Sequence, residues 1–323
     1  RRSRVGLPPR FYRTHHEVAA TLSSNVTKDT HVRHRAEPRL RIRKRNAFQS
    51  ISKFIGKMDL TVGRIERHLK WNMKRDPSSM ISAFNSLARA EARAKFHYEE
   101  SQRIGQRVFV AEILTKGLRP ATVKARYETT ETIFTKHGPL RINETSEPIK
   151  TTCDVNIPVW IRDTAIPIDD SNITLEQLEN SGADMWLSIT EIRKSDLQGC
   201  KSQYGERGPI CMKGHDYEWL ACGFILKSHI ANIMPYDGKQ LHKQMTLKVI
   251  RSLRSTDRWI FNWHRRMWLL NPNMANMAHY RIEFTSEKRR RDDDDNDEKG
   301  DVRQRPRLSY SPITTSFCIS PAA

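Results

Sequence analysis

The chain has 323 residues, a formal net charge of +19, a pI ≈ 9.9 and a mean hydropathy of −0.69. Hydrophobic residues make up 37%, below the ~45–50% of an ordinary globular domain, which argues against an enzyme compact throughout and for a folded middle with polar ends. Charge of this sign and size selects polyanions as partners, either nucleic acid or anionic lipid headgroups, and the absence of any apolar run of about 18 residues leaves no candidate transmembrane helix.

Residues 1–46 read as a disordered basic arm. Thirteen Arg and Lys residues face only Glu17, Asp29 and Glu37 there, a net +10. Pro8, Pro9 and Pro38 interrupt it and no apolar period runs through it, so ordering entropy is not offset by burial. Arg41, Arg43, Lys44 and Arg45 form its densest cluster, suited to phosphates or to a nuclear address.

Residues 47–105 read as a helical segment. Asn46 is placed to cap a first helix with Phe48, Ile51, Ile55 and Met58 on one face. Asp59 would cap a second, in which Val62, Ile65, Leu69 and Met73 form the apolar stripe. Arg64, Arg67, Trp71 and Arg75 fall on its opposite, outward side. Asp76 and Pro77 would open a third, since Pro is tolerated in a first turn. Its expected buried stripe is Ile81, Phe84, Ala88, Ala92 and Phe96, and Gly105 would stop it.

From residue 106 the period changes to that of strands, and 106–286 read as a β-rich core domain. Residues 107–114 look like a buried strand. Val123, Ala125 and Tyr127 alternate with Lys124, Arg126 and Glu128. Residues 133–142 read as strand, turn, strand around Gly138 and Pro139. Cys153, Val155, Ile157, Val159 and Ile161 give the cleanest alternation, and Pro158 suggests an edge strand. Thr174 with Gln177 three residues on resembles a capping box. Met185, Leu187 and Ile189 alternate again. The apolar run 217–227 fits a central strand or a buried helix, and Tyr280, Ile282 and Phe284 close the series.

Residues 248–268 interleave Arg251, Arg254, Arg258, Arg265 and Arg266 with Trp259, Phe261, Trp263 and Trp268. Cations bind phosphates and flat rings stack on bases. The competing reading is a core element with buried Trp and solvated Arg. The alternation of Trp259, Phe261 and Trp263 favours burial of that trio, leaving Arg258, Arg265 and Arg266 as the safer contacts.

Residues 287–323 read as a disordered mixed-charge tail. Lys288, Arg289, Arg290 and Arg291, then an acidic spacer, then Arg303, Arg305 and Arg307 resemble a bipartite nuclear localisation signal for an import receptor. Ser311 and Ser320 each precede Pro and suit proline-directed phosphorylation.

No P-loop, dinucleotide fingerprint, nucleophile elbow, zincin or EF-hand pattern occurs. The five cysteines form no CxxC pair, which points to reduced thiols and an intracellular protein. Cys200, Cys211, His215 and Cys222 have zinc-ligand chemistry, but their spacing matches no standard knuckle, ribbon or finger.

The expected fold is therefore α+β: an N-terminal helical layer on a mainly antiparallel sheet or sandwich, between charged tails. The expected function is nucleic-acid binding, RNA or single strands favoured, by a non-enzymatic nuclear protein without metal or cofactor. The alternative is a viral structural or assembly protein (matrix, coat or movement protein) that self-assembles and turns its basic arm to nucleic acid or an anionic membrane surface. In size, charge and its two tail clusters the chain is similar in broad outline to basic, nucleus-targeted matrix proteins of plant negative-strand viruses, though no motif is matched.

Overall fold

Phe11 is fully buried, and the strand that carries it lies deep inside a nine-stranded sheet. The computed structural model describes residues 6–17, 19–25, 41–70, 78–100, 107–131, 134–135, 138–139, 149–162, 173–199, 214–245, 249–253 and 259–271. All of them belong to one unit, Arg1–Met274. The chain begins with β1 (Arg10–His15), β2 (Leu22–Ser23) and β3 (Asn46–Gln49), followed by α1 (Gly56–Asp59), α2 (Val62–Leu69), β4 (Met80–Phe84) and α3 (Leu87–Glu99). Next come β5 (Val108–Leu114), β6 (Arg119–Glu131), β7 (Phe134–Thr135), β8 (Gly138–Pro139) and β9 (Ile149–Arg162). After them stand β10 (Ile173–Thr174), α4 (Leu175–Ser181), β11 (Asp184–Ser188), α5 (Ile189–Ile192), β12 (Glu218–Cys222), β13 (Phe224–Leu226) and β14 (Ile230–Tyr236). A last group comprises β15 (Ile250–Arg251), β16 (Trp259–Asn262) and β17 (Met267–Leu270).

The large sheet has the order β10-β6-β9-β11-β12-β4-β1-β5-β14. Its pairings are antiparallel except β10 with β6. The fold is α+β, as composition and periodicity suggested. Helices cover one face: Leu60, Ile65, Leu69, Leu178, Ile189 and Ile192 pack on Val123, Val155, Ile157, Leu187 and Leu220. Ala90, Ala94 and Tyr98 of α3 pack on Val108 and Val110. Two three-stranded sheets, β13-β3-β2 and β15-β16-β17, cover the other face. There Phe48, Ile225, Trp259, Phe261 and Trp268 meet Phe11, Phe109, Trp186 and Trp219.

Several expectations shift. Residues 1–46 contain β1, which pairs with both β4 and β5. Phe11, Arg13 and His15 are its buried alternate positions, and three of its six residues are Arg or His, which hid a period of two behind the charge. Residues 47–105 hold β3 and β4 as well as helices. Asn46 opens β3 rather than capping a helix. Ile81 and Phe84 lie in β4, so the stripe counted through them has the wrong phase. In α3 the buried positions are Ala90, Ala94, His97 and Tyr98, whereas Ala88 and Ala92 are exposed. The cap of α2 is Thr61, whose hydroxyl accepts from Arg64 N at 3.3 Å. Asp59 instead accepts from Ile55 N at 2.8 Å, closing the α1 turn.

Other readings hold. Val155, Ile157, Val159 and Ile161 are buried together. The edge strand suggested by Pro158 is not borne out: β9 lies between β6 and β11, and Pro158 is tolerated because β11 covers only Trp160, Ile161 and Arg162, leaving that stretch of β9 paired with β6 alone. The capping box at Thr174 and Gln177 is present. The run 217–227 is two strands, not one, because Gly223 adopts φ 88 and turns the chain out of the large sheet into the small one. Tyr280, Ile282 and Phe284 lie outside the described residues.

Candidate nucleic-acid interface

The aromatic residues of 248–268 anchor the stretch rather than display it. Trp259, Phe261 and Trp268 are buried. The Trp268 indole Nε1 donates to Val108 O at 3.1 Å, and the Arg107 guanidinium sits 3.9 Å from the centre of a Trp259 ring. With that face fixed, the β16–β17 turn stands outward and exposes His264, Arg265 and Arg266. The turn is held on three sides. Arg265 N donates to Asn262 Oδ1 at 2.8 Å, and Arg266 N to Trp263 O at 3.3 Å. Asn25 Nδ2 donates to Arg266 O at 2.9 Å. Arg266 has φ 52, a left-handed conformation that these bonds maintain.

Asn25 links this turn to a second basic turn. Ser24 N donates to Ala47 O, so β2 runs alongside β3 and places Asn25 at the end that carries residues 43–45. On the other side of β3, Lys227 N donates to Arg45 O at 2.8 Å. Neighbouring strands lie ~4.8 Å apart. The result is a row across one end of the small sheet: Lys227, then Arg45 with Lys44 and Arg43, then Asn25, then Arg266 and Arg265. Arg41, Arg43, Lys44, Arg45, Lys227, Arg265 and Arg266 are all exposed. Arg43, Lys44, Arg45, Lys227, Arg265 and Arg266 have no acidic partner among the described residues. The row is roughly 15 Å wide at that spacing.

Other expected contacts lie elsewhere. Arg64 and Arg67 are on α2, over the helical face, and Arg64 Nε lies 3.9 Å from Asp59. Arg251 is exposed on β15 beside the hairpin. Arg75, Arg254, Arg258 and the tail residues Lys288, Arg289, Arg290, Arg291, Arg303, Arg305 and Arg307 lie outside the described residues. Lys227 and Asn25 were not singled out from sequence. Nothing in a one-dimensional pattern marks them, because only strand pairing brings 25, 45, 227 and 266 together.

The zinc constellation is not assembled among the described residues, where no group of three or more His, Cys, Asp or Glu could hold a metal. Cys200 and Cys211 lie outside them. Cys222 is packed in the helical-face core, and burial pushes its thiol well up. His215 Nδ1 is 2.6 Å from Glu218 Oε2.

That Glu218 contact belongs to an internal polar cluster. His68 Nδ1 meets Ser78 Oγ at 2.8 Å and its Nε2 meets Ser82 Oγ at 2.7 Å. Burial pushes His68 down to about 4. Burial pushes the Glu218 carboxyl up, but hydrogen bonds from His215 and Ser82 together with the nearby imidazoles of His68 and His215 hold the group below its usual value. Burial pushes Arg13 down to about 9 and Arg93 down to about 10, with the Glu218 charge opposing in both. Arg13 donates to Ser82 O at 2.5 Å and to Thr21 Oγ1 at 2.8 Å. His97, packed 4.5 Å from His16, is pushed down to about 2 by burial and then by the neighbouring His16, Arg93 and Arg13. These groups hold strands and helices together across the sheet.

Comparison with protein-family models, with curated proteins and with solved structures finds no match to this chain.

Proposed function

We propose that this protein binds nucleic acid, single strands and RNA favoured, as a binding protein rather than a catalyst, through the row formed by Lys227, Arg45, Arg266 and their neighbours. The observation that carries the reading is the row itself: exposed cations from three chain segments, brought side by side by strand pairing and by Asn25, with no acid interleaved among the described residues. Phosphate contacts of this kind need no base readout and supply most of non-specific affinity. Residues 26–40 join Asn25 to Arg41, so Lys28, Arg33, Arg35 and Arg39 enter the chain between two members of the row.

No helix among the described residues is long and apolar enough to cross a membrane. The two tail clusters support a nuclear address. A fluorescent fusion of residues 287–323 is expected to concentrate in nuclei, and a cytoplasmic fusion would remove that part of the proposal. Binding itself is tested by filter retention of a labelled single-stranded RNA at low salt. Replacing Arg43, Arg45, Arg265 and Arg266 by Gln is expected to weaken retention by at least tenfold with an unchanged melting temperature. Absence of retention by the unaltered protein would refute the reading.

A further inference from the structure

The row runs, at Arg266, into a cleft of about 300 Å³ lined by Asn232, Lys243, Gln244, Met245, Trp263 and Arg266. That volume is at the lower end of the range for small-ligand sites. The cleft wall is fixed: Asn232 Nδ2 donates to Lys243 O at 2.8 Å, and its Oδ1 accepts from Ile233 N at 2.9 Å. Residues 243–245 are thereby pinned against β14. Trp263 also lines the cleft, held edge-on to Phe261 at 5.1 Å. Met245 is 70% exposed, an apolar thioether left in water at the rim. Lys243 and Gln244 are exposed beside it.

We infer that this cleft takes one unpaired nucleotide of a bound strand, an assignment that rests on the nucleic-acid reading above. Its parts match the parts of a nucleotide. Trp263 and Met245 offer apolar surface to a base face, and stacking of this kind is tolerant of sequence. The Gln244 amide offers one acceptor and two donors to a base edge. Lys243 and Arg266 offer cations to the phosphate, and Arg266 continues the row along which the neighbouring phosphates lie. A base held inside a duplex keeps both faces stacked and cannot enter, so the cleft discriminates single strands from duplex where the row alone does not.

The test measures binding of the full chain to a 12-nucleotide (about one duplex turn) single strand and to the duplex of the same sequence, by fluorescence anisotropy at fixed salt. The single strand is expected to bind about tenfold more tightly, the effect of one stacked base. Combined Gln244→Ala and Met245→Ala substitutions change no charge and touch only exposed side chains. They are expected to abolish that preference and leave duplex affinity unchanged. A nucleoside monophosphate at millimolar concentration is expected to suppress the preference in the unaltered protein, and inorganic phosphate at the same concentration is not. Equal affinity for the two forms, a preference that survives the double substitution, or equal competition by inorganic phosphate would each overturn the cleft assignment while leaving phosphate binding through the row in place. Failure of the unaltered protein to bind either form would overturn the reading itself.

Discussion

Two sets of cations in this chain have opposite fates. Arg13, Arg107 and Arg162 are buried, with at most 7% of their surface exposed, and each is spent on the fold. Arg162 Nε pairs with Asp184 at 2.5 Å and its Nη1 donates to Leu114 O and Lys116 O. Arg107 stacks on Trp259, and Arg13 bridges β1 to β4. The Arg43, Arg45, Arg265 and Arg266 side chains are exposed, and only the backbone N–H or C=O groups of these residues are tied into the surrounding strands and turns. A net charge of +19 therefore overstates what is available to a polyanion. The lesson is that cation burial, not cation density, separates the structural set from the binding set.

The sharpest way to break that distinction is to delete residues 1–46. As a detachable arm, the segment would leave a folded protein with weakened binding. Because it contains β1, its loss is expected to leave no cooperative unfolding transition by circular dichroism; a folded product would show that the inward cations are dispensable. Next in size is Asp184→Ala, which strands the buried Arg162 guanidinium, along with the His229 imidazole 3.4 Å from the same carboxylate. Removing one member of a buried pair costs about 3–5 kcal/mol, read as a fall in the urea midpoint, with no selective change in salt dependence of binding. A loss under 1 kcal/mol, by that same range, would mean the pair is not internal.

Acid sharpens the comparison further. His68 titrates at about 4 in the folded chain, against ~6.5 for an ordinary imidazole. The unfolded chain therefore takes up the proton first. The stability due to neutral His68 is complete above pH ~6.5 and is lost as pH falls toward 4. That loss is roughly 2 kcal/mol at pH ~5. His97 adds to it over the same range and continues below it. Urea midpoints from pH 7 to 4.5 are expected to fall steeply, and His68→Gln to flatten the slope; a midpoint independent of pH would contradict the buried placement. The smallest effect is expected at Arg126 and Asp154, an exposed pair at 2.7 Å. Exposed pairs gain little over their hydration, so Asp154→Asn should leave the midpoint unmoved.

How much of this was legible in the sequence depends on whether the signal was local. Val155 to Ile161 and the box at Thr174 declared themselves, because side-chain alternation and reciprocal capping are complete within a few residues. β4 was misread because Ile81, Phe84 and Ala88 fit a helical spacing as well as any strand pattern of five residues. β1 was missed because Arg13 reaches its acceptors, Ser82 O and Thr21 Oγ1, only in the folded chain. In the candidate site, Arg265 and Arg266 were readable as the polar ends of an alternating aromatic run. Their partners Asn25, Arg45 and Lys227 became a row only through pairing across β2, β3 and β13, and the cleft at Lys243 and Met245 only through Asn232.

The most direct test of the outward set is the salt dependence of RNA binding. Log affinity is plotted against log salt concentration for the unaltered chain and for the variant with Gln at 43, 45, 265 and 266. Each phosphate contact on a single strand contributes about 0.7 to the slope, so the variant's slope is expected to be shallower by up to roughly 3, with an unchanged melting temperature. Parallel lines would contradict the account, since they would place the phosphate contacts on other cations.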